Sequence, residues 1–281
     1  MNWTIYLIAY LILGVIFDQS YKVATRNLKN AGALTILLEF IGTVTVLFAI
    51  PFFEMKFPTD PKVYIFLTLA IVFYAINDRL NTTVRSGMEA STFSIIKQLS
   101  SVFMIFAGIL FFKEEFILNK FIGAILIILS NVLIFYKKES TKPNKYVLLG
   151  ILANLFYAIA LFLDVNISES FNLPIYVAIS LGLPTILIAL AERIKPKEII
   201  NEFKVGNKSA ILLTAITWSY MILAQLRAYQ LGNVSIVAPL CALTVILNVI
   251  VGYIFLKEKD NLVRKIISAF LIILGIILIK V

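Results

Sequence analysis

The sequence predicts an all-α integral membrane protein of ten transmembrane helices, arranged as two inverted five-helix repeats. Three observations carry that prediction: an apolar composition that has to meet lipid, ten apolar runs of spanning length, and an internal repeat. The 281 residues are 60% hydrophobic and 15% charged, with a mean hydropathy of +0.95. That leaves too little polar surface to coat a soluble globule. A spanning helix needs roughly 20 apolar residues, because the hydrocarbon core is about 30 Å thick and each helical residue rises about 1.5 Å.

The runs are Trp3 to Tyr21, Ala31 to Ile50, Val63 to Ser86, Ala90 to Phe112, Lys120 to Tyr136, Tyr146 to Asp164, Leu173 to Ala191, Ala210 to Gln230, Val234 to Leu256 and Val263 to Lys280. They are too long for spanning strands and lack a sustained polar and apolar alternation, which excludes a barrel. The longest stretch outside them is Glu192 to Lys208, where Pro196 opens a segment with Ile199, Ile200 and Phe203 at helical spacing. It reads either as an interfacial helix or as a solvated loop. No segment is large enough for a separate soluble domain. The first run lacks both the basic lead and the small-residue cleavage site of a removable signal peptide.

The net charge of +9 comes from bases scattered over the interhelical loops, which is not a nucleic-acid footprint. Numbering the loops in order, the odd ones hold 18 of the 25 Lys and Arg residues and the even side holds 6, with Lys97 inside a span. By the positive-inside rule the odd loops are cytoplasmic, so both termini of a multi-pass plasma-membrane protein face outward. The single cysteine, Cys241, lies inside a span, so no intrachain disulfide forms. Histidine is absent, which removes the commonest metal ligand and general base. No glycine loop suited to phosphate is present. No enzyme chemistry, metal or cofactor is expected.

Sliding the chain against itself by 144 residues sets Phe111, Phe112, Lys113 and Glu114 on Phe255, Leu256, Lys257 and Glu258. The same offset pairs Ser91 with Ser235, Tyr74 with Trp218, and Asn81 with Gln225, and sets Ile125 to Ile134 on Ala269 to Leu278. Near the start of each half an offset of 146 sets Phe17 and Asp18 on Leu163 and Asp164. The chain therefore divides into residues 1–140 and 141–281. Five is odd, so the second copy enters the membrane from the opposite face, the arrangement that supports alternating access about a midplane site.

These residues resemble the drug/metabolite transporter superfamily, in particular its ten-helix EamA-type members. The likeness is strongest over Ser91 to Phe135, with Glu114 and Gly123, and over Ser235 to Ile279, with Ala238, Pro239, Gly252, Glu258 and Gly275. Gly14 and Lys22 also look like the family's opening helix. The resemblance implies a secondary transporter with a central cavity lined by helices 1 to 4 and 6 to 9, helices 5 and 10 being outer supports. Two features depart from the pattern: Lys97 and Gln98 stand in helix 4 where many members have proline, and characterised members usually have cytoplasmic termini.

Charged side chains at membrane depth are costly, so those retained usually face a cavity or a partner. Helix 3 is expected to run to Ser86 and end at Gly87, which draws Asn77, Asp78, Arg79 and Asn81 into the span. Glu39 and Lys97 fall at a similar depth in helices 2 and 4. Ser94, Lys97, Gln98 and Ser101 share one face of helix 4, and Tyr74, Asp78, Asn81 and Arg85 share one face of helix 3. In the second half, Trp218, Gln225 and Tyr229 share a face of helix 8, and Cys241, Thr244 and Asn248 a face of helix 9. Two readings stay open: Glu39 with Lys97, or Asp78 with Arg85, simply neutralise each other; or Lys97 and Arg85 receive a substrate carboxylate or phosphate while Glu39 or Asp78 meets an ammonium group or carries a coupling proton. Glu114 and Glu258 read as structural marks of the repeat. Asp18 and Asp164 read as gate residues or as solvated span ends. Pro184, with Gly182, is expected to kink helix 7.

The expected activity is secondary transport of a small polar metabolite, zwitterionic or anionic. The alternatives are an exporter of cationic drugs or amines centred on Glu39, and a membrane scaffold or lipid-modifying enzyme. The expected partners are the lipid bilayer, a small-molecule substrate, a coupling proton and a second copy of the chain.

Overall fold

A computed structural model describes residues 2–100, 102–103, 117–135, 144–232, 237 and 240–280. Among them there is no strand, and the backbone forms eleven α-helices. These are α1 (Trp3–Ala24), α2 (Ala31–Leu47), α3 (Pro61–Ser86), α4 (Ala90–Ile96), α5 (Leu118–Phe135), α6 (Lys145–Ile167), α7 (Leu173–Ala191), α8 (Pro196–Val205), α9 (Lys208–Leu231), α10 (Leu243–Phe255) and α11 (Leu262–Lys280). Each of the ten apolar runs overlaps one of them, and α8 is the eleventh. Of the described helices, α1, α3, α6, α7, α9 and α11 are long and apolar enough to cross a membrane, while α2, α5 and α10 contribute shorter apolar stretches among the described residues. Glu114, Ser235, Ala238 and Pro239, which carry part of the repeat and of the resemblance, lie outside the described residues.

Short polar residues decide where the helices begin. Asn2, Asn30, Asn144, Asn172 and Asn207 each accept a bond from an amide of the first turn, and Asp60 does the same ahead of Pro61. Helix α3 ends at Ser86 with Gly87 behind it, so Asn77, Asp78, Arg79 and Asn81 lie inside it as expected. Pro184 sits within α7, which continues past it. The missing amide there leaves the Ser180 carbonyl without its usual helical donor. The Glu192 to Lys208 stretch forms α8. Its Glu202 is buried and accepts from the backbone amides of Lys29 (3.0 Å) and Asn30 (3.1 Å), which ties α8 to the turn between α1 and α2.

The helices pair across the two halves. Helix α1 packs on α9 and α3 on α6, while α2 packs on α7, α4 on α10 and α5 on α11. Exchanging each helix for its counterpart in the other half turns the first two pairs into one another and leaves the other three unchanged. One apolar core joins α1, α2, α7 and α9 and includes Phe17, Tyr21, Leu38 and Trp218. A second lies between α5 and α11 around Ile127 and Ile272. There a Cβ on Gly275 would come 2.7 Å from the Gly123 carbonyl oxygen. Only glycine lets the two backbones meet that closely.

Glu258, beyond the end of α10, reaches across to the start of α4. Its carboxylate accepts from the Ala90 amide (2.8 Å), the Ser91 amide (3.1 Å) and the Ser91 hydroxyl. Beside it, Lys265 of α11 pairs with Glu89 at 2.6 Å. A residue that marks the repeat in sequence thus acts as a helix cap supplied by the other half.

Candidate functional site

A cavity of about 80 Å³ lies between the halves. Its wall comes from α1, α3, the end of α4, α6, α7 and α9. Helices α2 and α10 stand one layer behind it, and α5 and α11 lie farther out as a pair.

Arg85 forms one end of the site. It lies at the last turn of α3 and is 3% exposed. Its Nη2 donates to Asp18 Oδ1 at 2.6 Å. The guanidinium carbon lies 3.9 Å from the ring centre of Phe93, 4.7 Å from Tyr21 and 4.9 Å from Phe17. Aromatic faces and one carboxylate therefore replace water around the charge. Arg85 Nε and Nη1 have no hydrogen-bond partner among the described residues. Asp18 Oδ2 accepts from Asn248 Nδ2 at 2.7 Å, and Asn248 Oδ1 in turn accepts from Gln19 at 3.0 Å. Trp218 lines the wall beside Phe17, with ring centres 5.5 Å apart.

Lys97 is the C-cap of α4 and is half-buried. Its Nζ lies 6.0 Å from the Tyr157 ring centre, and it forms no ion pair among the described residues. The two pairings weighed from the sequence, Glu39 with Lys97 and Asp78 with Arg85, are therefore not the ones formed; Asp18 takes Arg85 instead.

Glu39 is fully buried in α2, and its Oε2 accepts from Thr185 of α7 at 3.0 Å. Its carboxyl also meets that of Asp78 on α3. Two carboxyls attract with one proton between them and repel with none. Asp78 lines the cavity and Glu39 stands behind it. Asn77 donates to Asp78 at 2.7 Å and accepts from Asn81 at 3.0 Å, a chain of amides along the cavity side of α3.

Tyr74, near the middle of α3, donates to Asp164 Oδ2 of α6 at 2.7 Å. Asp164 is 4% exposed and also lines the cavity. Gln225 of α9 completes the wall on its side.

Eight of the thirteen residues singled out from the sequence thus meet at one cavity: Tyr74, Asn77, Asp78, Asn81, Arg85, Lys97, Trp218 and Gln225. Glu39 and Asn248 support it from behind. Tyr229 touches Gln225 and Cys241, outside the wall. Gln98 is half-buried and not part of the wall, and Ser101 lies outside the described residues. The sequence reading left out Tyr157 and the aromatic box around Arg85, and held Asp18 and Asp164 as gate residues or solvated span ends and not as cavity residues. Repeat alignment had brought the two aspartates together. Their place at the edge of the apolar runs pointed toward water, whereas α1 continues to Ala24 and α6 to Ile167, which keeps both inside.

The EamA-like transporter family model matches residues 4–136 and again 144–281. A solved structure described only as "Crystal structure of protein" superposes with a TM-score of 0.53 at 12% identity, covering 99% of this chain and 96% of that one. No curated protein matches.

Proposed function

The chain belongs to the EamA-like transporter family, and we propose that it is a secondary carrier of a small polar metabolite, zwitterionic or anionic and amino-acid-like. The family is one of membrane transporters within the drug/metabolite transporter superfamily, which makes this chain a multi-pass membrane protein. One observation carries the finer reading. Of eleven buried side-chain polar atoms without a partner among the described residues, six belong to the cavity wall: Asn81 Oδ1, Arg85 Nε and Nη1, Asp164 Oδ1, Tyr176 Oη and Ser180 Oγ. Interiors leave few such atoms unpaired, so their convergence marks a place built for another molecule. Arg85 and Lys97 offer donors for a carboxylate or phosphate.

Carrying a metabolite across the membrane requires this small cavity to open to each side in turn, so the wall helices have to part. Pairing of the helices across the halves supports such motion. Such pairing fits ten spans in two inverted sets, in which one set rocks against the other. The Glu39 and Asp78 pair is suited to carrying the coupling proton. A cationic-drug exporter centred on Glu39 fits less well, because Glu39 lies behind Asp78 and not in the wall. The surplus of bases in the odd loops supports cytoplasmic odd loops and outward termini at the plasma membrane.

Counterflow in proteoliposomes across amino acids and organic acids tests the reading. Lys97→Ala, which breaks no ion pair among the described residues, is expected to fold normally and to lower transport of the carried acid about tenfold or more. Unchanged transport removes Lys97 from the site. In the same vesicles loaded with a pH dye, Glu39→Gln is expected to abolish proton movement that accompanies the substrate. If the variant still acidifies the lumen at the wild-type rate, Glu39 carries no proton.

A further inference from the structure

We propose that Asp164, together with the rings of Tyr74 and Tyr157, is the subsite for the substrate's ammonium group, which makes the cargo a primary-amine zwitterion. The proposal rests on the carrier reading above and deepens it.

Asp164 lies on the cavity wall, almost fully buried, and makes no ion pair among the described residues. One oxygen accepts from Tyr74 and the other, Oδ1, has no partner among the described residues. A buried carboxyl with an open acceptor and no cation is a costly arrangement, unless a cation arrives as part of the working cycle. The first half shows the contrast. Asp18 has Arg85, whereas the offset of 144 sets an uncharged residue, Tyr229, at the place of Arg85.

The surroundings favour an ammonium group. The Tyr74 and Tyr157 ring centres are 6.3 Å apart and tilted by 59°, two π-faces beside the carboxyl. Tyr157 already lies within cation range of Lys97. A single open carboxyl oxygen rewards N–H donors, which selects a primary ammonium over a quaternary one. Eleven residues further along α3, the Arg85 donors that have no partner among the described residues stand ready for the acidic group. The cavity therefore has an acidic and a basic end, the charge pattern of an amino acid.

The test uses purified full-length protein in detergent and in proteoliposomes. Thermal-shift and counterflow measurements run over the twenty protein amino acids. For the best of them, its 2-hydroxy acid lacks the amine and its decarboxylated amine lacks the acid. Wild-type protein is expected to bind the amino acid about tenfold or more tightly than the hydroxy acid, and Asp164→Asn to erase that preference while leaving hydroxy-acid binding unchanged. Tyr157→Leu is expected to weaken amino-acid binding in the same direction, and stands in if Asp164→Asn does not fold.

An undiminished preference for the amine in the folded variant overturns the subsite and leaves the carrier reading intact. So does transport of organic acids alone. Loss of binding for the hydroxy acid as well, restored by adding Lys97→Met, makes Asp164 a structural counter-ion of Lys97 and also overturns the proposal. Absence of transport for every compound overturns the carrier reading and the subsite with it.

Discussion

Asp18 and Asp164 are both buried aspartates on the opening helix of their half, yet their surroundings differ. Counted from the helix ends at Ala24 and Ile167, they lie six and three residues in, which places them at corresponding levels to within about one turn. Asp18 is held by Arg85 on one oxygen and Asn248 on the other. Among the described residues, Asp164 has only the Tyr74 hydroxyl. A duplicated fold has therefore kept two acids and saturated one of them. The saturated acid locks helices α1, α3 and α10 together; the other is left with capacity to spare.

This contrast can be broken at three strengths, each read as thermal unfolding of the purified protein. Arg85→Gln leaves Asp18 as a buried charge without its partner, with an expected cost of about 3 to 5 kcal/mol. The double variant Arg85→Gln with Asp18→Asn should recover part of that loss. Asn248→Leu strips Asp18 of its second donor and leaves Gln19 with the backbone carbonyl of residue 248 as its acceptor, for an expected loss of about 1.5 to 3 kcal/mol. Tyr74→Phe removes the bond from Tyr74 to Asp164 and should cost about 0.5 to 1.5 kcal/mol, since an acid beside a cavity can turn to water. If Tyr74→Phe destabilises as much as Arg85→Gln, both acids are structural and the asymmetry carries no functional meaning.

Much of the fold could be read from hydropathy, because a bilayer forces every spanning segment to be long and apolar. The end of α3 at Gly87 and the inclusion of Asp78 and Asn81 in that helix followed from the repeat. The partner of Arg85 could not be read in the same way. It lies 67 positions away on another helix, and which acid meets the guanidinium depends on how α1 and α3 are rotated about their axes. Spacing along one helix says which residues share a face, and nothing about which face meets which. For the same reason Tyr229 and Gln98 were grouped with cavity residues that the packed helices separate from them. The phenylalanines and tyrosines around Arg85 gave no signal among 22 Phe and 12 Tyr in an apolar chain.

The grip of Glu258 on α4 has a kinetic consequence. The amides of Ala90 and Ser91 belong to the first turn, where a helix offers its own N–H groups no acceptor. Their acceptor is a carboxylate from the opposite half of the chain. If the halves separate on this side, those two protons exchange with solvent deuterium, while amides deeper in the same helices stay protected by their own carbonyls. Deuterium uptake at Ala90 and Ser91, followed with and without ligand, therefore times the opening of that face without a probe attached to the protein.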